Sequence, residues 1–220
     1  MFNENKTPVL DQTVQAFFLI FMKTVVRRQK KRSAKKTRRR SYHWLALCII
    51  AVSAIVAVIV SIAQLRADKE EIMGEIRRYA AKHKIPAEFV AAVVNQESGF
   101  DSLATGRAGE IGLMQLMPPG KPGAPEEWAR VYKVKCPSRL KLYRVNTNIN
   151  IGSWYLARAI RRWKRYRCAY ELALVEYNAG QKYAELYKPE TLDGDVVSRI
   201  KIPSTKKYVI EIMKNYRDSR

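Results

Sequence analysis

Glu97 is the residue of this sequence best placed for acid–base chemistry. It follows an apolar run at residues 87–96 (AEFVAAVVNQ) and precedes a glycine-rich stretch that begins at Gly99. A carboxyl group at the end of an apolar helix, on the wall of a cleft, is partly desolvated, which raises its pKa above about 4.3. Such a group can donate a proton at neutral pH, as cleavage of a glycosidic bond requires. A glutamate that merely ends a helix in solvent has the same local sequence.

Short motifs around and beyond Glu97 decide between these two interpretations. Residues 97–100 read ESGF, and GLMQLMP begins fifteen residues after Glu97, at residues 112–118. NINIG follows at 148–152, YNAG at 177–180, and Ile202-Pro203 precedes Tyr208. This ordered set resembles the family 1 lytic transglycosylases, whose soluble-lytic-transglycosylase domain is related to goose-type lysozyme. The resemblance extends over residues 72–216.

The resemblance implies a mainly α-helical, lysozyme-like fold with a deep glycan groove, and it implies that Glu97 is the catalytic residue. Glu97 would protonate the oxygen between N-acetylmuramic acid and N-acetylglucosamine of bacterial peptidoglycan. The resulting carboxylate would accept the proton of the muramic C6 hydroxyl, whose oxygen closes on C1 to give a 1,6-anhydro sugar. One carboxyl group thus serves as acid and then as base, and no cofactor is expected.

The resemblance also implies five substrate-binding residues: Gln115, Met117, Tyr177, Asn178 and Tyr208. The amide of Gln115 stands within an apolar segment and needs a hydrogen-bond partner, which a sugar hydroxyl or a backbone group would provide. Met117 and Tyr177 fit a protein core equally well, because methionine fills irregular gaps and tyrosine has an apolar face.

The sequence departs from the family pattern near the predicted site. Gly106 stands where the family often has serine, and Glu176 stands where an alanine commonly precedes Tyr-Asn. Asp101 and Glu110 are close to Glu97 in sequence, and a second carboxylate near it would allow hydrolysis. Two alternatives therefore stay open, a hydrolytic muramidase of the goose-lysozyme type and an inactive wall-binding scaffold.

The hydrophobic pattern beyond residue 66 predicts helices rather than strands. Apolar residues recur at helical spacing in residues 68–82, 87–96, 148–164, 169–177 and 206–216. Glycines and prolines predict loops at residues 99–112 and 119–127. The predicted fold class is therefore all-α. The family resemblance implies that residues 66–220 form a lysozyme-like transglycosylase domain, and we expect a single transmembrane helix before it.

The predicted transmembrane helix comes from an uncharged run of twenty residues at positions 44–63. A helix of that length spans the hydrocarbon core of a bilayer, about 30 Å thick. More than forty residues precede the run, which argues against a cleaved signal peptide. We therefore expect an uncleaved anchor at residues 44–65.

Charge indicates the orientation of this anchor. The chain carries a net charge of +21, and ten of the fourteen residues at 27–40 (RRQKKRSAKKTRRR) are basic. Basic flanks stay in the cytoplasm, so residues 1–43 are expected to be a cytoplasmic tail and the catalytic domain to be periplasmic. The basic run would bind anionic lipid headgroups of the inner membrane, and nucleic acid is the less favoured partner.

Cysteine and histidine residues suggest no metal site. His43 and His83 are far apart in sequence, and neither pairs with a cysteine at ligand spacing. Cys136 and Cys168 would lie in a compartment that permits disulfides, and the sequence leaves open whether they pair.

Overall fold

The computed structural model describes residues 19, 20, 23 and 38–220, except for the side chains of residues 38–46 and 62–67. Most of the predicted cytoplasmic tail, including residues 27–37 of the basic run, lies outside the described residues. The chain divides into two compact units, residues 1–62 and 63–220. Helix α1 is Arg38–His83, and it contains the boundary between the units.

The predicted transmembrane helix is not supported by the structure. No helix of the described residues is long and apolar enough to cross a membrane. Within the predicted span, the side chains that the structure describes are those of residues 47–61. The remaining side chains of the predicted span, at 44–46 and 62–65, lie outside the described residues.

The second unit is mainly helical, as the sequence predicts. After α1 come α2 (Ala87–Ser98), α3 (Ala124–Tyr132), α4 (Arg139–Leu142), α5 (Val145–Trp163), α6 (Ala169–Ala179), α7 (Gln181–Tyr187), a 3-10 turn (Val197–Arg199) and α8 (Pro203–Asp218). Within residues 38–220 the only β-type pairings are two isolated bridges, Thr105 with Ile111 and Ile111 with Leu116. These bridges fold the segment between α2 and α3 into a compact loop.

Helices α3, α4 and α7 differ from the sequence-based expectation, and α4, a single turn of four residues, was not predicted. The segment 119–127 was predicted to be a loop, which is wrong in part, because α3 begins at Ala124. Pro125 lies in the first turn of α3, where proline loses no hydrogen bond, and Glu126 and Glu127 complement the helix dipole there. Helix α7 was not predicted, because it is only seven residues long and follows a glycine.

Helix α2 forms the centre of the core. Phe89, Val93 and Val94 have no exposed surface. Helix α2 packs against α8, and α8 packs in turn against α6. The ring of Phe89 meets those of Tyr170 and Tyr216 edge-on, with centroids 4.8 and 5.4 Å away. The element that bears Glu97 is therefore fixed by packing along most of its length.

Gly152 on α5 permits close packing of the loop that follows α2. A Cβ atom at Gly152 would overlap the sulfur of Met114 and lie 3.0 Å from the Met114 Cβ. We expect Gly152→Ala to lower the free energy of unfolding by about 1–3 kcal/mol, because Met114 is fully buried and has no room to move. Thermal unfolding by calorimetry measures this loss.

Gly74→Ala is the matched control for that substitution. Gly74 is also in a helix, but a Cβ atom there would meet nothing within 4 Å. The same change is expected to raise the free energy of unfolding by up to about 1 kcal/mol, through helix propensity alone. Equal effects of the two substitutions would contradict the close contact between Gly152 and Met114.

Candidate active site

Glu97 lies in the last turn of α2 and is half-buried. Helix α2 ends immediately afterwards, because Gly99 adopts a left-handed conformation (φ 61°) and its N–H bonds to the Asn95 carbonyl. The Ser98 hydroxyl donates to the Leu113 carbonyl at 2.9 Å. This bond ties the end of α2 to the loop that follows it.

The surroundings of Glu97 favour its protonated form. The pKa of Glu97 is raised to about 7, mainly by burial and to a smaller extent by the nearby charge of Glu110. The Tyr208 hydroxyl donates to Glu97 Oε1 at 2.5 Å, which acts in the opposite direction by stabilising the carboxylate. A carboxyl group with a pKa near 7 can both give and take a proton at neutral pH.

Two tyrosine hydroxyls approach this site from different helices. Tyr208 on α8 is buried and bonds to Glu97, whereas Tyr177 on α6 donates to the Met114 carbonyl at 2.7 Å. Burial, followed by the negative charge of Glu97, raises the pKa of both phenols well above their usual range. Both hydroxyls therefore stay protonated and act as hydrogen-bond donors.

Asn148 on α5 holds the GLMQ segment in place. Its side-chain amide donates to the carbonyls of Ile111 and Leu142, both at 2.8 Å, and its Oδ1 accepts from the Met114 N–H at 2.8 Å. A Cβ atom at Gly112, where φ is +70°, would lie 2.7 Å from the Asn148 amide nitrogen. The close approach of Gly112 to Asn148 is therefore possible only because glycine has no side chain.

Gln115 finds its hydrogen-bond partner within its own loop. The Gln115 amide donates to the Gly112 carbonyl at 2.8 Å, and the Gln115 backbone has a left-handed φ of 45°. The sequence indicated that this amide needs a partner, either a sugar or a backbone group. The backbone group is what the structure shows, and it fixes the orientation of the side chain.

A cavity of about 380 Å³ opens beside Glu97. Its lining includes five of the six predicted site residues: Glu97, Gln115, Met117, Tyr177 and Asn178. The sixth, Tyr208, is not part of the lining and contacts the site through its bond to Glu97. Asn178 is exposed, and its Oδ1 accepts from the buried Thr205 hydroxyl at 2.8 Å.

The structure adds charged residues that the sequence did not assign to the site. Glu110 and Arg107 line the cavity, whereas Asp101 is exposed, is not part of the lining and accepts from the Leu103 N–H. Glu176 lines the cavity too, but it is buried, and it accepts from the Trp163 indole N–H at 2.8 Å and pairs with Arg162 at 3.2 Å. The contacts with Trp163 and Arg162 therefore explain the burial of Glu176.

The described His, Cys, Asp and Glu side chains form neither a metal cluster nor a disulfide. Among the side chains that the structure describes, no group of three or more His, Cys, Asp or Glu residues is arranged to hold a metal ion. Cys136 and Cys168 are both free thiols. The residues lining the cavity can therefore supply acid–base chemistry and hydrogen bonds to a polar ligand.

A helical domain with a polar groove and one protonatable, half-buried glutamate defines a lysozyme-like class of protein. The sequence model described as the Transglycosylase SLT domain matches residues 75–191, more than half of the chain. The chain belongs to this family.

Solved structures and curated sequences agree with this assignment. The chain is similar to the lytic transglycosylase Slt of Pseudomonas aeruginosa, solved as an inactive mutant, with 28% identity, a TM-score of 0.56 and 65% of this chain covered. The 70 kDa soluble lytic transglycosylase of Escherichia coli has the same fold, with a TM-score of 0.55 over 66% of this chain at 23% identity. The curated soluble lytic murein transglycosylase of Escherichia coli K12 is 30% identical over 105 residues, 47% of this chain.

The match is confined to one part of these relatives. The chain spans 15% of the length of the curated Escherichia coli protein, and 23% and 24% of the two solved chains. The comparisons therefore identify the domain, and the activity of this protein as a whole is a proposal.

Tyr208→Phe tests the hydrogen bond to Glu97. Without the phenolic donor, the carboxylate form of Glu97 is less stable and its pKa rises. If protonated Glu97 is the working form, activity is lost as pH rises through this pKa, so the alkaline limb of the pH–rate profile is expected to move to higher pH. At neutral pH, the rate of a reaction that uses Glu97 as its acid is expected to fall by about tenfold, because the Glu97 carboxyl group is no longer held in one orientation.

Tyr216→Phe is the control for this experiment. Tyr216 is also a buried tyrosine of α8, but its ring packs on Phe89, away from Glu97. An alkaline limb that is the same in both variants and in the wild type would show that the hydroxyl of Tyr208 has no influence on Glu97.

Proposed function

We propose that this protein is a lytic transglycosylase that cleaves the glycan strands of peptidoglycan, with Glu97 acting as acid and then as base. The observation that carries the proposal is the environment of Glu97. Its carboxyl group is half-buried, has a pKa of about 7, bonds to Tyr208 and opens onto a polar groove. The family relationship supports the choice of peptidoglycan as substrate.

The proposed reaction has two proton transfers and consumes no water. Glu97 gives its proton to the oxygen that links N-acetylmuramic acid to N-acetylglucosamine, and the bond from that oxygen to the muramic C1 breaks. The Glu97 carboxylate then takes the proton of the muramic C6 hydroxyl while O6 bonds to C1. The products are a 1,6-anhydro-muramic end and a free N-acetylglucosamine end, and Glu97 is again protonated.

A pKa near 7 suits both transfers, because the group is a competent acid when protonated and a competent base when ionised. The bond from Tyr208 would stabilise Glu97 between the two steps, when it is a carboxylate. Gln115, Met117, Tyr177 and Asn178 line the groove and are proposed to bind the sugar chain through hydrogen bonds and apolar contact.

Hydrolysis is the second candidate reaction, and Glu110 favours it. A second carboxyl group lines the same cavity as Glu97, an arrangement by which glycosidases activate water or stabilise a glycosyl intermediate. A muramidase would leave reducing ends in place of anhydro ends.

Mass spectrometry of the soluble products separates these reactions. Purified peptidoglycan is incubated with the full-length protein in detergent, with Glu97→Gln as control. Anhydro-muropeptides that are absent from the control are the expected result. Reducing ends would establish the muramidase, and wall binding without any product would establish the inactive scaffold.

The cellular location is proposed from the sequence. Residues 44–63 carry no charge, and the described part of this run exposes apolar side chains such as Leu47, Ile50 and Ile59, each more than half accessible. We propose that residues 44–65 anchor the protein in the inner membrane, that residues 27–40 bind anionic lipid headgroups, and that the catalytic domain is periplasmic. Extraction tests this: the protein should require detergent, and release by a high-salt wash would contradict an anchor.

A further inference from the structure

We propose that Glu110 is a second functional carboxylate of the groove, and that it fits there because Gly106 has no side chain. The proposal rests on the proposed function for its chemistry, although its geometry is independent of the substrate. Glu110 lies in the loop between α2 and α3, and it lines the same cavity as Glu97.

The backbone of Gly106 does not explain why this residue is glycine. The glycines with a left-handed φ are Gly99, Gly109, Gly112, Gly120 and Gly180, and Gly106 is not among them. Any amino acid could therefore adopt the backbone conformation found at position 106. The reason for glycine must lie in the space around it.

That space is filled by the carboxyl group of Glu110. A Cβ atom at Gly106 would overlap Glu110 Oε2, and it would lie 2.9 Å from Glu110 Cδ and 2.7 Å from the Gln115 side-chain oxygen. A serine at this position, as the family often has, would collide with Glu110 as it is now placed. Gly106 and Glu110 are thus a coupled pair, in which a carboxylate takes the position that a side chain at 106 would occupy.

The loop holds this carboxylate in a fixed position. The Ala108 N–H donates to Glu110 Oε2 at 2.9 Å, and the Gly106 N–H donates to the Glu110 carbonyl at 3.0 Å. Glu110 is half-buried, and within the described part of the chain no Lys or Arg nitrogen lies within 4.0 Å of its carboxyl oxygens. A fixed carboxylate without a counter-ion exerts its field on the groups around it.

The field of Glu110 acts on two charges of the reaction. It raises the pKa of Glu97 and so favours the acid form that starts the reaction. It also favours the positive charge that develops on the sugar in an oxocarbenium-like transition state. The other titratable groups around Glu97 are Tyr208 of α8 and Tyr177 of α6, and the cavity lining adds Arg107, Tyr155 and Glu176.

Glu110→Gln tests the charge while preserving the shape. We expect the rate of peptidoglycan cleavage to fall on the order of tenfold, and the alkaline limb of the pH–rate profile to move to lower pH. The direction is opposite to that expected for Tyr208→Phe, because a repulsion is removed rather than a hydrogen bond. Asp101→Asn is the matched control, since Asp101 is an exposed carboxylate of the same loop that does not line the cavity.

An exchange of the coupled pair tests the geometry. Gly106→Ser alone is expected to lower activity strongly, because its side chain displaces Glu110 and Gln115. The double variant Gly106→Ser/Glu110→Ala removes the closer of the two collisions, that with Glu110, and leaves only the contact with the end of the Gln115 side chain, so it is expected to be more active than Gly106→Ser. Equal loss in these two variants would overturn the steric coupling, and an unchanged rate and pH profile in Glu110→Gln would overturn the role of the charge.

A titration without substrate separates this inference from the proposed function. The ¹³C signal of the Glu97 carboxyl group, identified by its absence in Glu97→Gln, is followed against pH in the wild type and in Glu110→Gln. A lower pKa in Glu110→Gln is the expected result, even for a protein that cleaves nothing. An unchanged titration would refute the interaction between the two carboxylates, whatever the products from peptidoglycan.

Discussion

Glu97→Gln is expected to lower the rate of peptidoglycan cleavage roughly a thousandfold or more. The amide has nearly the shape of the carboxyl group and can still accept the hydrogen bond from Tyr208. It can neither donate a proton to the leaving oxygen nor remove one from the C6 hydroxyl. Release of soluble muropeptides measures the loss, and co-sedimentation with peptidoglycan is expected to show that binding persists.

Glu88→Gln is the matched control for this variant. Glu88 lies in the first turn of the same helix and is exposed. Its substitution is expected to leave the rate unchanged. A Glu97→Gln protein that cleaves at the wild-type rate would assign the chemistry to another residue.

Glu97→Gln is also expected to be more stable than the wild type, by an amount that depends on pH. The pKa of Glu97 is raised on folding from 4.5 to about 7, so the folded state binds more protons than the unfolded state between these values. Wild-type stability therefore falls as pH rises through this window, and Glu97→Gln avoids that loss. The difference in melting temperature between the two proteins should be larger at pH 8 than at pH 4. A constant difference would contradict the raised pKa.

Asn148→Ala is expected to have the largest effect on folding, a loss of about 3 kcal/mol or more in the free energy of unfolding. The side chain is buried and makes three hydrogen bonds to backbone groups, those of Ile111, Met114 and Leu142. Alanine leaves the Met114 N–H and the Leu142 carbonyl without these partners in the protein interior, where each costs about 1 kcal/mol or more. The Ile111 carbonyl loses one bond and keeps the one from the Leu116 N–H at 3.1 Å. Denaturant unfolding followed by circular dichroism measures the loss.

Asn146→Ala separates this effect from helix propensity. Asn146 lies in the first turn of the same helix, but it is exposed, and the hydroxyl of Thr147 donates to its side chain. Its substitution is expected to change stability by less than about 0.5 kcal/mol. Similar losses of stability in the two variants would argue against a stabilising role for the hydrogen bonds between Asn148 and the GLMQ segment.

Much of the site follows from local sequence, because its motifs encode local geometry. The apolar run before Glu97 predicts a buried helix, and α2 ends within one residue of Glu97. The polar amide of Gln115 predicts a partner, and the partner lies three residues away. Patterns of this kind act over a few residues, which a single sequence reveals directly.

The remaining features depend on contacts between distant parts of the chain. The hydrogen bond from Tyr208 to Glu97 joins residues that are 111 positions apart in the sequence. Tyr208 was predicted to bind substrate, and its contact with Glu97 was not predicted. Glu176 is held by Trp163 and Arg162, which the sequence places on another helix. The space at Gly106 is visible only once Glu110 folds back onto it.

The bond from the Ser98 hydroxyl to the Leu113 carbonyl has a consequence for the motion of the acid. Helix ends ordinarily fray, and Glu97 lies in the final turn of its helix. With Ser98 bonded to the following loop, and that loop bonded to Asn148, the terminal turn can open only when neighbouring segments open with it. The amides of this turn and of residues 111–116 should thus exchange with solvent as one cooperative unit. The conformational entropy of this turn is then lost during folding, so in the proposed reaction the position of Glu97 need not be found anew in each catalytic cycle.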